Sequence, residues 1–146
     1  MNAGPKTPST ARSLPIALLR ARERVMGPIR VMLSDAGVTE QQWRVLRVLD
    51  ENGPMDPTSI ADQAVLLLPS LTRILQKLES KGLVTRIQSE TDRRRQVVSV
   101  TPEGSALISA NLEASIQIFD QLRMQMGEDR YDALLDLLSE LNDLDI

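Results

Sequence analysis

Apolar residues recur at helical spacing in separate stretches of the chain, and residues that favour helix ends lie between these stretches. From Leu14 onward, apolar positions repeat every three or four residues as far as Ala36-Gly37, which predicts one long amphipathic helix. A second helix is expected to begin at Thr39-Glu40-Gln41-Gln42, because a capping box satisfies free amide groups at a helix start. Asn52-Gly53-Pro54 is expected to end it.

Two short helices are predicted next. Asp56-Pro57 favours a helix over residues 58–64, because aspartate accepts hydrogen bonds from free amides and proline fits the first helical turn. After an apolar turn at residues 65–68, the apolar spacing predicts another helix over residues 69–81. Gly82 follows it, and glycine is the residue best suited to a left-handed helix end.

The pattern changes from helical spacing to alternation after Gly82. Residues 83–88 and 96–100 are two runs rich in β-branched side chains, which predicts a β-hairpin. Residues 89–95 connect the two runs and end in three consecutive arginines. The sequence therefore predicts a hairpin with a basic tip.

Two further helices are predicted after the hairpin. Thr101-Pro102-Glu103 favours the start of a long helix, and Gly127 separates it from the last one. The apolar face of the last helix is wider than a single surface helix needs. A chain of 146 residues is too short to bury the apolar faces of both C-terminal helices. These faces therefore predict contact with a partner surface. The expected fold class is mainly α with a small β-hairpin wing.

Composition excludes several classes of function. The chain has no cysteine and no histidine, which excludes disulfides, thiolate or imidazole metal sites and nucleophilic triads. Its three aromatic residues are too few for a protein that stacks single-stranded nucleic acid. Paired carboxylates lie where helix ends or polar faces explain them, so we expect neither catalysis nor a cofactor. No apolar run is long enough to span a membrane, no secretion signal is recognisable, and a cytoplasmic location is expected.

The charges are distributed unevenly along the chain. Residues 69–100 carry seven Lys and Arg against three Asp and Glu, whereas residues 101–146 carry two against ten. A concentrated basic segment inside an acidic protein is what a polyanion-binding surface needs. The alternative is an ordinary solvated face, and the order of elements has to decide between the two.

The order of elements is that of a winged helix-turn-helix: two short helices joined by a tight turn, then a basic hairpin. The second short helix has the size that fits the major groove of B-DNA. We predict that this helix contacts base edges through Ser70, Thr72 and Arg73, and bases or phosphates through Gln76 and Lys77. The hairpin tip is predicted to reach the adjacent minor groove, whose negative potential attracts arginine. The tip residues are Asp92, Arg93, Arg94 and Arg95.

Three motifs in and after this region resemble the MarR family of transcriptional regulators. They are Leu78-Glu79-Ser80-Lys81-Gly82-Leu83-Val84-Thr85-Arg86, then Asp92-Arg93-Arg94, then Val98-Ser99-Val100-Thr101-Pro102-Glu103-Gly104. The resemblance covers residues 14–146 and implies a homodimeric regulator that binds a pseudo-palindromic operator. It also implies that Asp92 orients the wing through a salt bridge and that Arg94 enters the minor groove, while Arg93 and Arg95 contact phosphates.

The resemblance also implies the organisation of the chain. Residues 38–101 would form the winged helix-turn-helix domain, and residues 14–37 and 102–146 the helical dimerisation region. Residues 1–13, rich in Pro, Ser and Thr, would form a flexible N-terminal arm. A competing interpretation is a winged-helix protein-interaction module that does not bind DNA specifically, although the basic tip and exposed cations of the preceding helix argue against it.

A small-molecule effector is the remaining expectation. The missing Cys and His argue against the peroxide-sensing and zinc-sensing branches of the family. Residues 13–23 and 39–47 are similar to repressors of homoprotocatechuate degradation operons, which implies an aromatic carboxylate as inducer. Such a ligand needs an apolar slot beside a cation. The candidates are Arg20, Arg24, Trp43 and Arg44, with core packing the alternative for Trp43 and surface or interface pairing the alternative for the first two.

Overall fold

The computed structural model describes Thr7, residues 9–92 and residues 94–146. After a single 3-10 turn at Thr10–Arg12, the described elements follow in an order that matches the prediction. They are α1 (Leu14–Ala36), α2 (Glu40–Asn52), α3 (Pro57–Ala64), α4 (Leu68–Ser80), β1 (Val84–Gln88), β2 (Gln96–Val100), α5 (Pro102–Met126) and α6 (Glu128–Asn142). The mainly α fold with a hairpin wing is confirmed.

The predicted helix ends are formed by the residues that the sequence pattern indicated. Thr39 caps α2 in a reciprocal capping box, in which both hydrogen bonds with Gln42 measure 3.1 Å. Asp56 caps α3 and Thr101 caps α5 through their side-chain oxygens. Helix α4 begins at Leu68, one residue before the predicted start, and Gly82 follows it with φ 74°. These local signals therefore position each helix to within about one residue.

The main hydrophobic core lies between α2, α3, α4 and the hairpin. Leu46, Ile60, Leu71 and Val98 have no exposed surface, and Ile108 of α5 belongs to the same core. Strands β1 and β2 pair in antiparallel register, with Val84 opposite Val100. The loop before α3 adds one further pair to this hairpin: Met55 N–H donates to Val98 O and Val98 N–H to Met55 O, at 3.1 and 2.8 Å.

The last two helices leave much of their apolar surface uncovered in the single chain. Helix α6 contains no buried residue, and α5 buries only Gly104, Ile108 and Ser115 over its 25 residues. Large apolar side chains with at least a third of their surface exposed lie on both helices and on the start of α1. They include Leu14, Leu19, Ile116, Phe119, Leu135, Leu137 and Leu138. The partner surface predicted for these helices stays a prediction.

Within the described part of the chain, no helix is both long and apolar enough to cross a membrane.

Candidate nucleic-acid interface

Helix α4 separates its side chains into a buried face and a polar face. Leu71, Ile74, Leu75 and Leu78 pack into the core, so the opposite side of the helix must face solvent. The five residues predicted to contact DNA lie on that side, four of them exposed and Ser70 half-buried. They are Ser70, Thr72, Arg73, Gln76 and Lys77. The fold thus presents hydroxyl, amide and cationic groups on one helical surface.

The tip of the wing is organised around Asp92. Its carboxylate oxygen Oδ1 accepts a hydrogen bond from the Arg94 N–H at 3.0 Å, and Oδ2 lies 3.9 Å from Arg95 Nε. Its backbone carbonyl also accepts from the Arg95 N–H at 3.0 Å. An aspartate that bonds to the backbone two residues later stabilises a tight turn, which leaves the Arg94 side chain exposed. Arg93 lies outside the described residues.

A groove runs between the start of α4 and the wing. It has a volume of about 450 Å³. The residues lining it come from α3 and its preceding cap, from α4 and from the wing: Asp56, Pro57, Thr58, Leu68, Arg94, Arg95 and Gln96. Helix α4 and two of the wing arginines therefore border the same concave surface, although residues 68 and 94 are far apart in the sequence.

Two polar contacts hold α4 relative to its neighbours. Arg86 of β1 pairs with Glu79 of α4 at 3.3 Å. At the end of α4, Lys81 Nζ donates to Gly37 O at 2.9 Å and to Gln42 Oε1 at 3.0 Å. In the sequence, Glu79, Lys81 and Arg86 stand out only as parts of a family motif. Their roles depend on which elements lie next to one another, which spacing along the chain does not show.

A second concavity lies between two of the long helices and the first helix of the winged domain. It has a volume of about 430 Å³ and lies between α1, α2 and α5. Its wall is largely apolar, with three arginines and one glutamate among the lining side chains. The residues are Arg22, Met26, Ile29, Glu40, Trp43, Arg44, Arg47, Leu112, Ser115, Ile116 and Phe119. We refer to it as the α1–α2–α5 pocket.

Arg44 is the arginine of this pocket with an unsatisfied hydrogen-bond donor among the described side chains. Burial lowers the pKa of its guanidinium group, and the positive charge of Arg22 lowers it further. Among the described side chains, Arg44 Nε is buried without a hydrogen-bond partner. Glu40 pairs instead with Arg22, and it lies 3.4 Å from Arg30. An anion that entered the pocket could accept a hydrogen bond from this buried donor, which has no partner among the described groups.

The structure brings together two of the four residues predicted to bind an effector. Trp43 and Arg44 line the α1–α2–α5 pocket, and Trp43 also belongs to the hydrophobic core, with 8% of its surface exposed. Arg20 and Arg24 border a different, open concavity along α1 with Leu19 and Pro28.

Four further residues of this pocket were not predicted from the sequence: Arg22, Arg47, Ser115 and Phe119. Arg47 lies one helical turn after Trp43 and could have been found by that spacing. The other three lie on α1 and α5, whose packing against α2 the sequence pattern does not specify.

Comparison with known proteins agrees with this arrangement. The model of the MarR family matches residues 38–95. The HTH-type transcriptional regulator FarR of Neisseria gonorrhoeae is 41% identical over 135 residues, which is 92% of each chain. The homoprotocatechuate degradative operon repressor of Escherichia coli is 39% identical over 128 residues, covering 88% of this chain and 86% of the repressor.

Two solved structures are also similar to this chain. NadR in complex with 4-hydroxyphenylacetate is 39% identical, with a TM-score of 0.82 and coverage of 96% of this chain and 99% of that one. The transcriptional repressor CouR bound to a 23-mer DNA duplex is 30% identical, with a TM-score of 0.84 and the same coverage. The predicted resemblance, including the likeness to homoprotocatechuate operon repressors, is confirmed. The chain belongs to the MarR family of transcriptional regulators and is a regulator of transcription rather than an enzyme.

Proposed function

We propose that the protein is a homodimeric, cytoplasmic repressor that binds a pseudo-palindromic operator and is released from it by an aromatic carboxylate. The observation that carries the proposal is the groove shared by the start of α4 and the arginines of the wing. A helix in the major groove and an arginine-bearing tip in the adjacent minor groove need this juxtaposition.

The uncovered apolar faces support the dimer. Leu135 and Leu137 of α6 are 50% and 61% exposed, and Leu19 of α1 is 63% exposed. Burial against a second copy would remove this apolar surface from water. Residues 14–37, which include Arg20 and Arg24, would form the dimerisation region together with residues 102–146. Residues 1–13 would form an arm. In a two-fold dimer the half-sites would lie about 34–36 Å apart, one turn of B-DNA.

Each winged helix-turn-helix domain, residues 38–101, would address one half-site. Ser70, Thr72 and Arg73 would face base edges, and Gln76 and Lys77 bases or phosphates. In the wing, Asp92 would hold the turn while Arg94 enters the minor groove and Arg93 and Arg95 contact phosphates. The exposure of Arg73, Lys77 and Arg94 supports these roles.

The effector would bind in the α1–α2–α5 pocket. Its carboxylate would pair with Arg44, whose Nε has no partner among the described groups, and its ring would lie against Trp43 and Phe119. The pocket connects α1 and α5 of the dimerisation region to α2 of the DNA-binding domain. A ligand that prefers one spacing of the two recognition helices would therefore change operator affinity.

The DNA-binding part of the proposal is tested by fluorescence anisotropy. The protein is titrated with a duplex from upstream of its own gene and with a scrambled duplex, at two salt concentrations. We expect selective binding with two chains per duplex. Arg94→Ala should weaken binding about tenfold and lower the salt slope by about one.

Arg47→Ala, on α2 and outside the groove shared by α4 and the wing, is the matched control and, in the absence of effector, should bind DNA as the unchanged protein does. Equal, weak binding of the upstream duplex, the scrambled duplex and fragments of the whole genome would overturn specific recognition. That result would favour the winged-helix protein-interaction module.

The effector site is tested by calorimetry with 4-hydroxyphenylacetate as the probe. Binding should weaken at least about tenfold in Arg44→Met, because the charged hydrogen bond is lost. The unchanged protein should not bind the matching alcohol, 4-hydroxyphenylethanol, which lacks the carboxylate. Arg20→Met is the control and should bind the acid normally. Equal binding of the acid by the Arg44 and Arg20 variants would contradict this assignment.

A further inference from the structure

Leu68 is a leucine at the surface of the predicted DNA-binding face. It is the first residue of α4 and is 47% exposed, whereas the leucines at positions 71, 75 and 78 of the same helix are at most 1% exposed. A side chain with this much exposed surface contributes little to the core, so packing within the chain does not account for a leucine at this position.

Leu68 begins the row of side chains that the recognition helix presents to solvent. Leu68, Thr72 and Gln76 are spaced by four residues, so they lie one above another along one side of α4. Thr72 Oγ1 donates to Leu68 O at 3.0 Å. The hydroxyl proton of Thr72 is thus used within the helix, and the first part of the row is more apolar than the sequence suggested.

The groove beside Leu68 contains positively charged side chains, as a surface that binds nucleic acid does. Leu68 shares it with Arg94 and Arg95 of the wing. The groove also contains Asp56, whose carboxylate is bonded to the Ser59 hydroxyl and N–H at the start of α3. An apolar side chain bordered by cations matches the DNA major groove, where base edges lie between lines of phosphates.

We propose that Leu68 determines part of the operator sequence by contacting the 5-methyl group of thymine. This methyl is the only apolar group that base pairs present in the major groove. The contact would lie next to the bases read by Arg73, nearer the start of α4. The inference rests on the proposed binding of DNA and goes beyond it by naming a base and the side chain that selects it.

The neighbouring Leu67 provides a matched comparison. It is more exposed, at 77%, but it lines a separate concavity with Asp62 and Val65. That concavity contains a carboxylate and no cation among its lining residues, whereas the groove beside Leu68 contains two arginines beside its one carboxylate. The two adjacent leucines therefore differ in the surface that they face, and only Leu68 is assigned to a base.

The test uses uracil, which pairs as thymine does but lacks the 5-methyl group. A duplex is selected from a randomised library by the full-length protein, and each thymine is then replaced singly by deoxyuridine. At one symmetry-related position in each half-site we expect about fourfold weaker binding, the effect of one buried methyl group. Leu68→Ala should bind the thymine duplex more weakly and no longer distinguish the two bases there.

Leu67→Ala should keep the thymine preference, and Leu68→Met, with a similar apolar volume, should retain most of it. Loss of the preference in the Leu67 variant alone, or its persistence in Leu68→Ala, would overturn the assignment to Leu68. A selected duplex with no uracil-sensitive position would overturn the methyl contact while leaving operator recognition intact. If selection yields no preferred duplex, both the inference and the proposed DNA recognition fail.

Discussion

Arg86 on the first strand of the wing pairs with Glu79 in the last turn of α4. Nε and Nη2 of Arg86 each lie 3.3 Å from a carboxylate oxygen of Glu79. Because Arg86 is only 20% exposed and Glu79 is 44% exposed, the pair lies partly out of solvent between the two elements. It links the orientation of the wing to that of α4, the two surfaces proposed to enter adjacent grooves.

Glu79→Gln should affect DNA binding more than folding. A partly exposed ion pair contributes less than about 1 kcal/mol to stability, so urea unfolding should change little. Operator affinity should fall severalfold because the wing is less well oriented relative to α4. Asp120→Asn, which removes the exposed Arg123 pair on α5, is the control and should change neither quantity. Unchanged operator affinity in Glu79→Gln would refute the positioning role.

Lys77 and Lys81 are predicted to have different roles although they are one turn apart. Lys81 Nζ donates to Gly37 O and Gln42 Oε1, so Lys81→Met should lower the free energy of unfolding by about 1 kcal/mol. Lys77→Met should leave unfolding unchanged but lower the salt slope of DNA binding by about one. Urea titrations and salt-dependent anisotropy measure the two effects. The reverse pattern in these two variants is incompatible with the contacts described.

Gly104 permits the close packing of α5 on the hairpin. A Cβ atom at this position would lie 2.3 Å from Leu83 O and 2.7 Å from Val100 Cγ1. Gly104→Ala should therefore lower the free energy of unfolding by about 3 kcal/mol, because backbone has to move. Gly27→Ala is the control, since nothing lies within 4 Å of the corresponding Cβ. In the interior of α1 it should raise stability by about 0.5–1 kcal/mol. Equal stability of the two variants would contradict this packing.

Asp56 should make the free energy of unfolding depend on pH. The Ser59 hydroxyl and N–H stabilise the carboxylate and lower the pKa of Asp56. The contribution is present above the pKa of the unfolded chain and is lost as the pH falls through the lower, folded value. Asp56→Ala should cost about 1 kcal/mol at pH 7, and its difference from the unchanged protein should shrink at about pH 3. Asp145→Ala is the control, and a difference that does not depend on pH would exclude this cap.

The local signals were sufficient to predict most of the secondary structure. The capping box at Thr39, the Asp56-Pro57 start and the Gly82 stop act over three or four neighbouring residues, so their effect can be read along the chain. The polar side of α4 follows equally from helical periodicity once its apolar side packs inward.

The effector pocket could be predicted only in part. Trp43 and Arg44 were predicted because an aromatic acid needs an apolar side chain beside a cation, and the structure places both in the α1–α2–α5 pocket. Arg20 and Arg24 lie on the same helix as Arg22, yet only Arg22 reaches that pocket. The rotation of α1 against α2 and α5 decides this, and it depends on packing between residues that are distant in the chain.

The sequence by itself determined the order of elements, their ends and the segment that carries the basic charge, because each depends on neighbouring residues. Only the tertiary structure decided that Leu68 shares a groove with Arg94, that Arg86 pairs with Glu79 and that Arg44 Nε is buried without a partner among the described groups. These relationships arise when elements distant in sequence pack together. Burial and proximity then decide what each side chain can bind.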